Sequence, residues 1–113
     1  MILCMQLGTA AIDITPSPGV ELCGYVAREQ PSTGISDRLK ARVVYLFHER
    51  QALLWVHLDL IGLEDGFVRL VKKDLTRLTG VREEYILLSA THTHSGPGTI
   101  HLNHCGAYDT VYT

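Results

Sequence analysis

The stretch from residue 51 to residue 90 constrains the fold more than any other part of the chain. QALLWVHLDL (51–60) is an apolar run of strand length, with aromatic and β-branched members. EDGFVRLVKKDLTRLTG (64–80) follows it. There Phe67, Val68, Val71, Leu75 and Leu78 recur at intervals of roughly three and four, with Arg69, Lys72, Lys73, Asp74 and Arg77 mainly outside the stripe. That spacing predicts an amphipathic helix. Acidic residues at its start and basic ones near its end suit the helix dipole, and Gly80 suits a left-handed stop. REEYILLSA (82–90) then carries a second apolar strand. A strand–helix–strand unit with a right-handed crossover makes its two strands parallel in one sheet.

Upstream, KARVVYLFHER (40–50) reads as a strand, joined to the next by the polar link HERQ, so the pair predicts a hairpin. MILCMQLGTAAIDIT (1–15) reads as extended, with Gly8 at a bulge or close approach. Pro16, Pro18 and Gly19 break it. VELCGY (20–25) predicts a short strand, and VAREQPSTGISD (26–37) a polar loop. The fold class is α/β, a mixed β-sheet with a strand–helix–strand crossover. The 113 residues suit one small domain or part of a larger one, and the ending AYDTVYT, without a capping element, fits the latter.

Composition excludes several classes. With 46% hydrophobic and 19% charged residues the chain can build a core. A net charge of -2 and no Lys/Arg run argue against a nucleic-acid partner. Cys4, Cys23 and Cys105 are odd in number and lack CxxC spacing, so they read as small buried apolar residues in a reducing compartment, with Cys105 the exception because it follows His101 and His104. MILCMQL has no basic n-region or cleavage signature, so no signal peptide is visible; a cytoplasmic protein is the default, and a secreted parent stays open. No apolar run approaches the roughly 20 residues needed to span a bilayer.

THTHSGPG (91–98) carries the chemistry. If 51–60 and 85–90 are parallel, Asp59 and His92 lie near carboxyl ends of strands, where open α/β sheets bind ligands. On an extended backbone His92 and His94 would point the same way, about 6.6 Å apart. Two imidazoles so placed can converge on one ion, or one can bind metal while the other meets substrate. Gly96, Pro97 and Gly98 allow a sharp turn and a close approach to a ligand; Ser95, Gly96 and Gly98 are the candidate substrate contacts. Asp59 either caps the next turn or orients a ligand histidine. The alternative is an ordinary polar loop at a strand end. Two histidines do not complete a zinc site, which takes three or four protein ligands. The HxHxDH pattern is absent, and so is the GxSxG that would mark Ser95 as a nucleophile. His101 and His104 would share a helical face beside Cys105, or belong to a polar loop. His48 and His57 read as structural.

SATHTHSGPG (89–98) resembles the signature of the neutral/alkaline non-lysosomal ceramidase family. GTAAIDITPSPGVELCGY, GISDRLKARVVYL, HLDLIGL and the helix before YILLSATHTHSGP agree with that family in order, so the resemblance covers residues 6–98. Ser36 and Arg38 depart from it, standing where many relatives have His and Pro. After Gly98 the likeness stops. The resemblance implies a zinc-dependent amide hydrolase that cleaves ceramide to a sphingoid base and a fatty acid. It implies that 1–113 is the N-terminal fragment of a larger catalytic domain. His92 would be a Zn2+ ligand, with His94 beside the metal facing substrate or oxyanion; Asp59, from its place after the apolar run rather than from the resemblance, is a further candidate catalytic residue. The family's other ligands, a His, a Glu and a Tyr, would lie beyond this chain, so the fragment alone is expected to be inactive. The implied partner is a lipid-like amide. A metal-dependent hydrolase of another small amide or ester, and a non-enzymatic α/β binding module, are the rival readings.

Overall fold

The computed structural model describes residues 4–113; the first three residues of the expected extended run lie outside the described residues. Four strands form one sheet in the order β1 (Gln6–Asp13), β2 (Lys40–His48), β3 (Gln51–Leu58) and β4 (Ile86–Ala90). The helix α1 (Asp65–Thr79) links β3 to β4. β1–β2 and β2–β3 are antiparallel, and β3–β4 is parallel. The mixed sheet with its strand–helix–strand unit is therefore as the sequence pattern predicts.

Alternation explains the layering. Leu54, Val56 and Leu58 of β3 are buried and form the core with Ala41, Leu60, Val81 and Ile86. Phe67 and Leu75 of α1 and Leu63 pack on that cluster. The intervening residues Leu53 and Trp55, and Leu87 of β4, face the other way and stay 39%, 41% and 51% exposed. On that open face Trp55 Nε1 donates to Ser89 Oγ at 2.7 Å, and the same hydroxyl pairs with His57 Nδ1 at 2.8 Å.

The helix stops as predicted. Gly80 takes φ 74° and donates its N–H to Thr76 O, which satisfies one of the carbonyls left over at a helix end. Leu78 does not join the packed stripe, however, and is 69% exposed in the last turn. Glu64 does not cap the helix with its side chain. Its Oε1 instead accepts from the backbone N–H of His101 at 2.8 Å and lies 3.0 Å from His101 Nδ1. Those bonds tie the segment after the histidine loop back to the helix start.

Four local expectations are corrected. VELCGY forms no strand, only a single bridge between Leu22 and Pro97, because Gly24 adopts φ 118°, which no strand residue does. Gly8 sits in unbroken register opposite Tyr45 rather than in a bulge. The first residues of REEYILLSA make a 3₁₀ turn, Glu83–Tyr85, and the strand begins only at Ile86. Cys23 is buried, but Cys4 is exposed and Cys105 only partly covered. Burial, more than nearby charge, pushes the Cys23 thiol pKa up, so Cys23 behaves as a core residue.

The hairpin between β2 and β3 turns on two residues, Glu49 (φ 47°) and Arg50 (φ 69°). Two left-handed residues in a two-residue loop match a type I′ turn, which favours Asn-Gly. Left-handed backbone costs a non-glycine residue about 1–2 kcal/mol. The double substitution Glu49→Asn, Arg50→Gly should therefore stabilise the protein by about 1 kcal/mol in urea unfolding. Unchanged or lowered stability would contradict this turn geometry.

Hydrogen bonds from His101, first from its backbone and then from its side chain, hold the Glu64 carboxyl below its ordinary pKa of 4.5. A depressed folded pKa gives stability that is present above the ordinary value and lost as pH falls through the folded value. The sign is thus acid-labile. Glu64→Gln should flatten the fall in Tm between about pH 6 and about pH 3 relative to the parent. Parallel curves for parent and variant would refute the contact.

Candidate metal and catalytic site

The histidine loop continues the β3–β4 ladder and then leaves it. Thr91 N–H donates to Leu58 O at 2.9 Å and His92 N–H to Leu60 O at 3.0 Å. At His92 the backbone switches to φ 60°. The side chains of His92 and His94 are therefore not the same-side pair of an extended strand, which corrects the geometry expected from spacing. The rings still converge, with centroids 5.0 Å apart and planes at 73°.

The chemistry of His92 follows from one contact. Its Nδ1 lies 2.6 Å from the carbonyl oxygen of Ile61. A carbonyl only accepts, so Nδ1 carries the proton. In the neutral ring Nε2 then keeps its lone pair. Metal-bound histidines commonly donate their other N–H in this way, which fixes tautomer and ring orientation. His92 is exposed as a residue. A zinc ion therefore fits the donor that His92 offers. Among the described residues no three His, Cys, Asp or Glu side chains converge as a metal-holding group. A zinc site takes three or four protein ligands, and His92 offers one such donor.

His94 is held by a segment that motif reading passed over. Arg28 Nη1 donates to the His94 carbonyl at 2.7 Å. The Tyr25 ring meets the His94 ring edge-on at 5.0 Å, and the Arg28 guanidinium lies 4.9 Å from the Tyr25 centroid. Gly24 lies against the imidazole so closely that a β-carbon there would fall 2.5 Å from His94 Cγ. The Gly-Tyr pair is visible in the sequence. Its packing 70 residues along from position 24 leaves no local periodicity to read.

The remaining candidates divide. Ser95 is exposed, and its N–H turns back to Thr93 Oγ1 at 3.2 Å. Thr93, Ser95 and Gly96 border a cavity of about 490 Å³ that also has Ser36 and Asp37 on its wall. Gly96 is otherwise structural: its carbonyl accepts from Cys23 N–H at 3.0 Å. Gly98 is not open to a ligand as the sequence suggested. It is buried, a β-carbon would collide with the Ala107 carbonyl, and its own oxygen accepts from Asp109 N–H.

Asp59 takes neither role expected of it. Its Oδ2 accepts from Lys40 N–H at 2.9 Å and from Arg42 Nη1 at 2.8 Å. A strand-end carboxylate opposite a cation and a free N–H pins the open end of the hairpin, and His92 gets its orienting acceptor from Ile61 instead. His101 stacks flat on Tyr108, centroids 4.3 Å apart, and pairs with Glu64.

The family described as neutral/alkaline non-lysosomal ceramidase, N-terminal, matches residues 5–109, so the likeness runs past Gly98, where the sequence motifs had ended it. Neutral ceramidase 3 of Arabidopsis thaliana is 34% identical over 97 residues, covering 81% of this chain and 13% of the relative. Neutral ceramidase of Pseudomonas aeruginosa is 33% identical over 98 residues, covering 82% of this chain and 15% of the relative. The crystal structure of neutral ceramidase from Pseudomonas aeruginosa superposes with a TM-score of 0.75 at 33% identity, over 87% of this chain and 16% of that one. The chain thus spans well under a fifth of the relatives it matches. On the match to residues 5–109 and these identities, it belongs to the neutral/alkaline non-lysosomal ceramidase family.

Proposed function

We propose that residues 1–113 are the N-terminal portion of the catalytic domain of a zinc-dependent amide hydrolase, with a lipid-like N-acyl amide such as N-acylsphingosine as substrate. The carrying observation is the 2.6 Å contact between His92 Nδ1 and the Ile61 carbonyl. It leaves Nε2 as a fixed, unprotonated donor on an exposed loop at the carboxyl ends of parallel strands. The names of the relatives supply the substrate class.

Zinc, when bound, polarises an amide carbonyl and brings the pKa of a coordinated water toward about 7. His92 contributes one ligand. His94, its ring 5.0 Å from that of His92, would donate a hydrogen bond to the oxyanion that develops as the amide carbon becomes tetrahedral. A separate acid must protonate the leaving amine. Ser95 and Gly96, on the wall of the cavity beside the loop, are the substrate contacts that remain. With one ligand in hand the 113 residues alone do not hydrolyse amide.

A second reading is a metal-dependent hydrolase of a smaller polar amide or ester. The hydroxyl groups of Thr15, Ser32, Ser36, Thr93 and Ser95 around that cavity favour it. A purely structural histidine loop fits less well, because His92 is exposed rather than packed among apolar side chains.

The test is the full-length parent beside its His92→Ala variant. The parent should hold about one zinc per chain and release a fatty acid from an N-acyl sphingoid. The variant should lose more than about 100-fold in zinc affinity and in kcat/KM, since even removal of a ligand's supporting partner costs about 10–100-fold. Zinc and hydrolysis indifferent to His92 would refute the site. Zinc without cleavage of the N-acyl sphingoid would keep the metal and transfer the substrate to the second reading.

A further inference from the structure

We infer that Arg28 is a positioning residue for His94, acting through the His94 carbonyl and through Tyr25. This rests on the proposed role of His94 beside a metal. Among the described residues no hydrogen bond reaches a ring nitrogen of His94, in contrast to His92. The ring is placed by its backbone and by packing alone. The backbone is held by Arg28, whose Nη1 donates to the His94 carbonyl at 2.7 Å across 66 residues of sequence. The packing is Tyr25 edge-on at 5.0 Å, Gly24 beneath, and His92 at 5.0 Å. The same guanidinium lies 4.9 Å from the Tyr25 centroid, and Arg28 N–H closes a turn onto Tyr25 O at 3.2 Å. One side chain therefore holds both the backbone that carries the imidazole and the aromatic ring that packs edge-on against it.

Arginine is suited to this in a way lysine is not. Its planar guanidinium can donate in its plane to a carbonyl while presenting its face to an aromatic ring. A lysine can restore the donor but not the guanidinium over the Tyr25 ring. A misplacement of about 1 Å in a reacting group costs about 100-fold in rate. Loss of the clamp should therefore act on turnover more than on metal or substrate binding. The metal ligand is spared because His92 is anchored separately, by Ile61.

The experiment compares the full-length protein with its Arg28→Met and Arg28→Lys variants. Hydrolysis of an N-acyl sphingoid, zinc content, Tm and the imidazole proton–carbon correlation signals of His92 and His94 are measured. Arg28→Met should lower kcat by about 10–100-fold with KM changed by less than about 3-fold. Zinc content and Tm should hold, and the His94 ring signals should shift or broaden while those of His92 stay. Arg28→Lys should recover part of kcat and sharpen the His94 signals. Unchanged His94 signals and unchanged kcat in Arg28→Met would overturn the proposal. So would joint loss of Tm, zinc and activity in both variants, which marks a general structural role. If the wild type shows no hydrolysis, the hydrolase reading fails, and the His94 signals alone decide the clamp.

Discussion

The site depends on a backbone carbonyl. Ile61, just past the end of β3, turns its oxygen to the Nδ1 of His92 at 2.6 Å. That contact exists because two ladder bonds precede it, from Thr91 to Leu58 and from His92 to Leu60. The parallel register of β3 and β4 thus runs on into the histidine loop and ends in a side chain. Fold and chemistry meet there: the register that buries Leu54, Val56 and Leu58 also sets which imidazole nitrogen is free. A shift of β4 by one residue would turn its whole face over and take the histidine away from its acceptor.

Around that contact, distant segments are drawn onto the loop by close backbone approach. Cys23 N–H reaches Gly96 O at 3.0 Å, and Gly24 N–H reaches Cys105 O at 2.7 Å. Gly24 and Gly98 are small because a histidine ring and a carbonyl occupy the space a β-carbon would need. The SGPG turn is in this sense packing as much as function. It lets the 20–28 segment and the 105–109 segment close over the back of the loop, while His92 remains exposed on its front. The Ser95 and Gly96 side borders a cavity, and the Gly98 side is filled.

The strand–helix–strand unit was legible because a continuous apolar run of strand length in β3 gives way to a stripe near 3.6 residues per turn in α1. The helix stop at Gly80 was legible for the same local reason. His92 stood out by its place after an apolar strand and by the family likeness of its motif. What was missed is long-range. VELCGY has the apolar content of a strand, but the left-handed Gly24 is a response to His94 packing on it. Asp59 looked like a turn cap or a histidine's partner. Its true partners, Lys40 and Arg42, depend on the hairpin register. Arg28 has no pattern around it at all; its two contacts are with a ring three residues back and a carbonyl 66 residues on.

The central claim is that Ile61 sets His92 to present an unprotonated Nε2. A long-range proton–nitrogen correlation spectrum of the imidazole side chains, on the metal-free protein near neutral pH, reads the tautomer directly. The account predicts that the neutral His92 ring carries its proton on Nδ1, and that Ile61-side perturbation rather than change at Asp59 alters it. A neutral His92 protonated at Nε2 would contradict the account, since the nitrogen proposed as the metal's donor would then be occupied by a proton.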